Sequence, residues 1–230
     1  MSTNTSGRAQ PRQLSKESIV QAAIELIARE GAQALTVRRL GIELGVDATA
    51  FYRHFPDKDA LVLAIGDHFA GWVYERVQTL VAPETSWQDQ IRAVARASWE
   101  AIELFSGAMA LTFARTSGGE PERHMVELLL EIVEPLGFTP ERTVIVYRML
   151  ADAFLALTGM NATFESLEPS LQEKDLSAWS RIYAVQSGKG YPAIRRHVKE
   201  LISVEDKAIF DFTIETLIRG IAAMAEEAGK

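Results

Sequence analysis

Residues Leu35–Lys58 read LTVRRLGIELGVDATAFYRHFPDK. Thr36 is placed to cap a short helix whose Val37, Leu40, Gly41 and Leu44 share one face. Gly45 interrupts it, because glycine permits a turn that a Cβ would oppose, and Val46 follows as an apolar anchor. Asp47 then starts a second short helix in which Ala50, Phe51 and Phe55 share a side, leaving Ala48, Thr49, Tyr52 and Arg53 turned outward until Pro56-Asp57 ends it. Two short helices about so tight a turn have the spacing of a helix-turn-helix, and the second can enter a DNA major groove about 12 Å wide. Ala48 and Thr49 are small enough for close approach and suit thymine methyl groups, while Tyr52 and His54 can donate to phosphate oxygens. Lys58 opens the next helix, where the positive end of the macrodipole repels a cation. A phosphate bound there would relieve both charges.

Helical signals continue on either side. Upstream, Ser15 can cap a helix with Ile19, Ala23, Leu26 and Ile27 at 3.6-residue spacing, stopped by Gly31. Downstream, a long apolar-rich helix is expected over Lys58–Val81, closed by Pro83, then helices over roughly Trp87–Phe105, Ser106–Thr116, Glu122–Leu136, Pro140–Phe164, Leu171–Gln186, Pro192–Ile202 and Glu205–Ala228. The breaks between them are glycine- and proline-rich: Ser117-Gly118-Gly119-Glu120-Pro121, Gly137-Phe138-Thr139-Pro140 and Ser187 to Pro192. No segment alternates with β-branched enrichment, so the chain reads as all-α. The organisation expected is a basic arm over residues 1–14, a helix-turn-helix domain over 15–60 and a ligand-binding and dimerisation domain over 61–230.

Composition narrows the function classes. The chain has 230 residues, 47% hydrophobic and 24% charged, with no cysteine. That is enough apolar material for a core, and it removes disulfide scaffolds, thiolate zinc sites and iron–sulfur clusters. The four histidines are scattered, and His68, His124 and His197 have no partner at metal-ligand spacing. The net charge of −7 is uneven: residues 1–60 hold eight Lys/Arg against seven Asp/Glu, leaving sixteen against twenty-four for the rest. Arg8, Arg12 and Lys16 stand in the first sixteen residues without an acid. The opening MSTNTSGRAQPRQLS has no apolar run, so the reading is a flexible arm on a cytoplasmic protein. The longest stretch free of Asp, Glu, Lys and Arg, Ala153–Phe164, is twelve residues, against about 20 for a membrane span. No membrane partner is expected.

The segment 15–63 resembles the DNA-binding domain of the TetR family of transcriptional regulators. The resemblance is carried by LTVRRL at the start of the second helix, the LGV turn, FYRHFPDK and the Asp59-Ala60-Leu61 that follows. It implies a homodimeric, ligand-responsive repressor of double-stranded operator DNA, with Tyr52, His54 and Lys58 at phosphates. Thr36 and Arg38 then fall where the second helix meets DNA, and Ala48 and Thr49 at base-facing positions. Gly41 departs from the alanine usual in the family, which predicts a softer second helix. The ending FDFTIETLIRGIAAM and the general layout of Trp87–Phe105 resemble the family's regulatory domains more loosely.

The final helix repeats Phe210, Ile214, Leu217, Ile221 and Met224 at seam-like spacing, and the helix from Pro140 carries Tyr147, Leu150 and Phe154. Two such helices from each of two copies would make a four-helix dimer interface, setting recognition helices about 34–36 Å apart on a palindromic site. Phe69, Trp72, Trp99, Phe105, Met109, Phe113 and Met149 are candidates for lining a cavity for a small apolar or amphipathic effector. Glu103 and Asp152 are candidates to orient a polar group. No cofactor or metal is expected. An enzyme is not expected either: G-x-x-x-x-G-K-[ST], H-E-x-x-H and G-x-S-x-G are missing, and Gly188-Lys189-Gly190 lacks phosphate-loop spacing. The alternative is a dimeric DNA-binding regulator that needs no ligand.

Overall fold

The computed structural model describes residues 14–183 and 190–229. Arg8 and Arg12 of the expected basic arm therefore lie outside the described residues, as do Ser187, Gly188 and Lys189 of the last break. Helix α1 (Lys16–Glu30) starts at a reciprocal cap: Ser18 N–H donates to Ser15 Oγ at 3.2 Å, and Ser15 N–H donates to Ser18 Oγ at 2.9 Å. Gly31 stops it at φ 81°. A short 3-10 turn, Ala32–Ala34, leads to α2 (Val37–Leu44), capped by Thr36. Gly45 then takes the left-handed conformation (φ 66°, ψ 30°) that the tight turn requires. Helix α3 (Ala48–Phe51) is capped by Asp47, and α4 (Lys58–Leu80) by Asp57.

The remaining helices are α5 (Trp87–Thr112), α6 (Glu120–Val133), α7 (Pro140–Glu165), α8 (Pro169–Ala178), α9 (Pro192–Ser203) and α10 (Asp206–Ala228). The boundary expected after Phe105 is a kink inside α5, where Phe105 leaves helical geometry (φ −140°, ψ 19°). The helix expected over Leu171–Gln186 is shorter: α8 ends at Ala178 and gives way to a π-helical turn, Trp179–Tyr183. No strand occurs among the described residues.

Helices α4, α5, α6 and α7 pack together, and α10 closes on α5 and α7. Helix α1 lies between α2 and α5, so the buried cluster runs unbroken from Ile19 in α1 to Ile221 in α10. Gly107 makes the α1–α5 approach possible, since a Cβ there would stand 3.1 Å from the Ile27 side chain. Helices α8 and α9 and the turn between them bury no residue.

Most of the dimer seam expected from the sequence turns inward. Leu150, Phe154, Phe210, Ile214 and Ile221 are all 5% exposed or less, spent inside their own chain. Tyr147, Leu217 and Met224 are half-buried and pack against the same core. The apolar residues left outside are Val144, Ile145, Leu155 and Met160 of α7, with Ile209 and Phe212 of α10. Phe212 is 74% exposed. Helix α7 is long and apolar enough by composition to cross a membrane, because a span tolerates its Arg148 and Asp152. Val146, Leu150, Phe154 and Ala162 nevertheless hold it in the core.

Candidate nucleic-acid face and interior cavity

The helix-turn-helix is clamped from behind. Phe51 and Phe55 stack at 5.6 Å and are buried with Leu40 in the same core as α1. Burying each such ring contributes roughly 1.5–3 kcal/mol. Gly41 sits where α2 meets the turn: its carbonyl accepts from Val46 N–H at 3.0 Å, and a Cβ there would stand 3.0 Å from the Val46 carbonyl oxygen. Across α1 and α2, Arg29 and Arg39 are tied to Glu30 and Glu43 in a four-charge network, with Arg29 to Glu43 at 2.8 Å and Arg39 to Glu43 at 3.1 Å. The bonds to these arginines hold the Glu30 carboxyl below its ordinary range. Nothing in the sequence reading anticipated this network; its signal was alternating charge at spacings that only the α1–α2 crossing brings together.

Thr36 uses its side chain to accept from Arg39 N–H at 3.1 Å and stays exposed, as does Arg38. Asp47 Oδ1 accepts from Thr49 N–H at 2.8 Å, and this bond, with a further one from the Thr49 side chain, lowers the Asp47 carboxyl; Thr49 is exposed. Ala48 and His54 are half-buried, whereas Arg53 and Lys58 are exposed. Tyr52 is 56% exposed and packs edge-on against Phe51. Arg38, Arg53 and Lys58 enter no ion pair among the described residues, in contrast to Arg29 and Arg39. The open cations of this unit are those of the turn and its flanks.

The interior holds a cavity of about 190 Å³ between α4, α5, α6 and α7. Of the nine residues expected to line it, Phe69, Met109 and Phe113 do. The other six are placed elsewhere, for identifiable reasons. Trp72 and Phe105 form a T-shaped pair at 5.8 Å at the α5 kink, and Trp99 packs on Phe210 at 5.0 Å. Met149 is half-buried and packs against the core. Glu103 is exposed, and Asp152 accepts from Arg148 at 3.1 Å on the outside of α7. Conversely, Tyr147 and Phe154, expected at a dimer seam, line the cavity. Phe113 is seated directly on Gly159, where a Cβ would fall 2.2 Å from the ring.

The wall is mostly apolar, including Val62, Val73, Val94 and Leu129. Its polar members are Ser98, Thr112, Arg115, Ser117, Glu122, Tyr147 and Thr158. Thr158 spends its hydroxyl proton on the Phe154 carbonyl at 2.7 Å. Burial, with the charge of Glu122, pushes the Tyr147 phenol up, while Arg148 opposes. From the sequence Ser117 was legible only as part of a glycine-rich break and Glu122 only as the start of the helix after it.

Comparison with known proteins matches residues 19–65 to the family model for bacterial regulatory proteins of the tetR family. Residues 81–225 match that of the tetracyclin repressor-like C-terminal domain. The repressor KstR2 of Mycolicibacterium smegmatis is 27% identical over 152 residues, covering 60% of this chain and 74% of that protein. The class D tetracycline repressor protein of Escherichia coli is 24% identical, covering 90% of this chain and 88% of its own. Among solved structures, the transcriptional regulator SCO7222 of Streptomyces coelicolor superposes with a TM-score of 0.72 at 26% identity, over 93% of this chain and 100% of that one. ActR of the same organism, in complex with actinorhodin, gives 0.79 at 19% identity, over 94% and 99%.

Proposed function

This chain belongs to the tetR family of bacterial regulatory proteins, and on that premise we propose that it is a homodimeric repressor released from a palindromic operator by a small apolar or amphipathic effector. As a member of the family it is a DNA-binding transcriptional regulator rather than an enzyme. The observation that carries the reading is the pairing of an exposed, unneutralised helix-turn-helix face with a lined interior cavity in one continuous core. Thr36, Arg38, Tyr52, Arg53, His54 and Lys58 are assigned to the DNA backbone and its approach, Ala48 and Thr49 to base edges. The division into a DNA-reading unit over 15–60 and a regulatory unit over 61–230 follows from that assignment, as does a cytoplasmic setting.

Two routes join the cavity to the DNA face. Helix α4 contributes Val62, Phe69 and Val73 to the cavity wall and begins at Lys58, against the recognition unit. Beyond its kink, α5 contributes Met109 and Thr112 to the wall and sets Gly107 against Ile27 of α1. An effector that binds one arrangement of these helices better than the other shifts the DNA-binding population, and operator DNA must weaken effector binding by the same factor. Repression is supported by the likeness to the repressors KstR2 and tetracycline repressor class D, and a small-molecule effector by the actinorhodin complex of ActR. The outer apolar residues of α7 and α10, Val144, Ile145, Ile209 and Phe212 among them, support the homodimer.

The test is capture of genomic fragments by the purified protein, followed by anisotropy titration of any enriched sequence at several salt concentrations. A twofold-symmetric site bound about 10³ tighter than random DNA is the expected result. No enrichment, with or without cell extract as a source of effector, overturns the assignment.

A further inference from the structure

The size and chemistry of the cavity restrict what can fill it. An apolar cavity of about 150 Å³ holds one benzene ring, and this one measures about 190 Å³ with the aromatic faces of Phe69, Phe113, Phe154 and Tyr147 in its wall. A single-ring body with a short polar extension fits within it. The Tyr147 and Ser98 hydroxyls have no hydrogen-bond partner among the described residues, so a ligand meets polar atoms already facing it.

The polar end of the wall is short of donors. Glu122 Oε2 accepts from Gly118 N–H at 2.5 Å, and the Ser117 hydroxyl lies 2.7 Å from the same oxygen and 2.5 Å from Asp67 Oδ1. Ser117 has one proton for two carboxylates, and Glu122 Oε1 has no donor among the described residues. Arg115 lines this end as its one cation, but its guanidinium is held by Asp59 at 2.9 and 3.0 Å. Arg123, exposed, donates to the Gly118 carbonyl at 2.6 Å. An anionic ligand head would face the Glu122 and Asp67 carboxylates, with Asp59 already on Arg115 Nη2; an ammonium head would give Glu122 Oε1 a donor and could rest against the aromatic faces.

Resting on the regulator reading above, we propose that the effector is an amphipathic organic cation: a ring-sized apolar body in the α4–α7 cavity with a protonated amine between the Glu122 carboxylate and the Tyr147 phenol. The test uses three probes of one shape, 2-phenylethylammonium, 2-phenylethanol and phenylacetate, titrated calorimetrically into the full-length protein at neutral pH. The ammonium binds tightest, by about tenfold or more, the worth of one charge-assisted hydrogen bond. Glu122→Gln brings it to the level of the alcohol, whose own affinity stays within about twofold, showing that the cavity is intact. Tyr147→Phe, which leaves the Glu122 loop untouched, gives a smaller loss for the ammonium alone. Equal or tighter binding of phenylacetate or the alcohol overturns the proposal. So does an ammonium preference that survives both substitutions, or failure of all three probes to saturate. Operator titration of the same preparation separates the two readings. Specific DNA binding with a preference for phenylacetate keeps the regulator and removes the cation, whereas ammonium binding without specific DNA does the reverse.

Discussion

Lys58 and Thr49 divide the chemistry of the DNA face. Lys58 is exposed in the first turn of α4 and enters no ion pair among the described residues, its neighbour Asp59 being held by Arg115. Lys58→Ala is expected to weaken binding to all sequences similarly and to make the slope of log affinity against log salt shallower by about 1. Thr49→Ala should leave that slope alone and change base preference, read by titrating single-base variants of the operator. Unchanged affinity in both would sink the recognition-helix assignment. Away from DNA, Glu100 accepts from Arg76 at 2.6 Å and Arg96 at 2.8 Å, and these hydrogen bonds bring its carboxyl down to about 2 from an ordinary 4.5. A carboxyl depressed in the folded state stabilises fully above its unfolded pKa and progressively less below it. Chemical denaturation should therefore show a loss between about pH 4.5 and pH 2 that Glu100→Gln removes. The groups are partly exposed, so the contribution is at most about 1 kcal/mol.

At the scale of the element, caps and stops were legible because they are local: Ser15, Thr36 and Asp47 each cap the helix expected of them, while Asp57, read only as the end of one helix, also caps the next. The orientation of α7 and α10 was not legible. Both helices are apolar on more than one side, and periodicity identifies a stripe without saying whether it turns to its own chain or to another. Phe210 and Phe212 lie two residues apart, about 200° around the helix, and the fold buries the first and exposes the second. The expected interface residues were the inward stripe. Phe212→Glu is accordingly predicted to yield a folded monomer, seen by light scattering as a halved mass, with operator affinity lost alongside. A dimer of unchanged mass would show that α10 does not carry the contact. The cavity defeated sequence reading for a related reason, since its wall draws on four helices whose relative register no single stripe reports. Phe69, Met109 and Phe113 could be found as large apolar residues, whereas Glu122 could not. Overpacking the wall offers a direct check: Gly159→Ala pushes a Cβ into the Phe113 ring, at a cost of about 1–3 kcal/mol. It should abolish effector binding while operator binding, measured by anisotropy, persists.

The molecule as a whole hangs on α1, which belongs by sequence to the DNA-reading unit and by packing to both. Ile19, Leu26 and Ile27 are at most 2% exposed, and α5 supplies part of their cover. Thermal unfolding followed by tryptophan fluorescence, which reports on α4 and α5 through Trp72, Trp87 and Trp99, should coincide with loss of helical circular dichroism. Two separated transitions would mean that the reading head melts on its own. The Gly107–Ile27 approach also governs exchange of parts between relatives. A chimera that grafts this head onto another member's regulatory body at residue 60 inherits whatever side chain that body presents opposite Ile27. A donor with glycine there closes the joint as this chain does; any side chain in its place must be met by a shift of Ile27 or by a smaller residue at position 27, or the two recognition helices of a dimer fall out of step with the DNA.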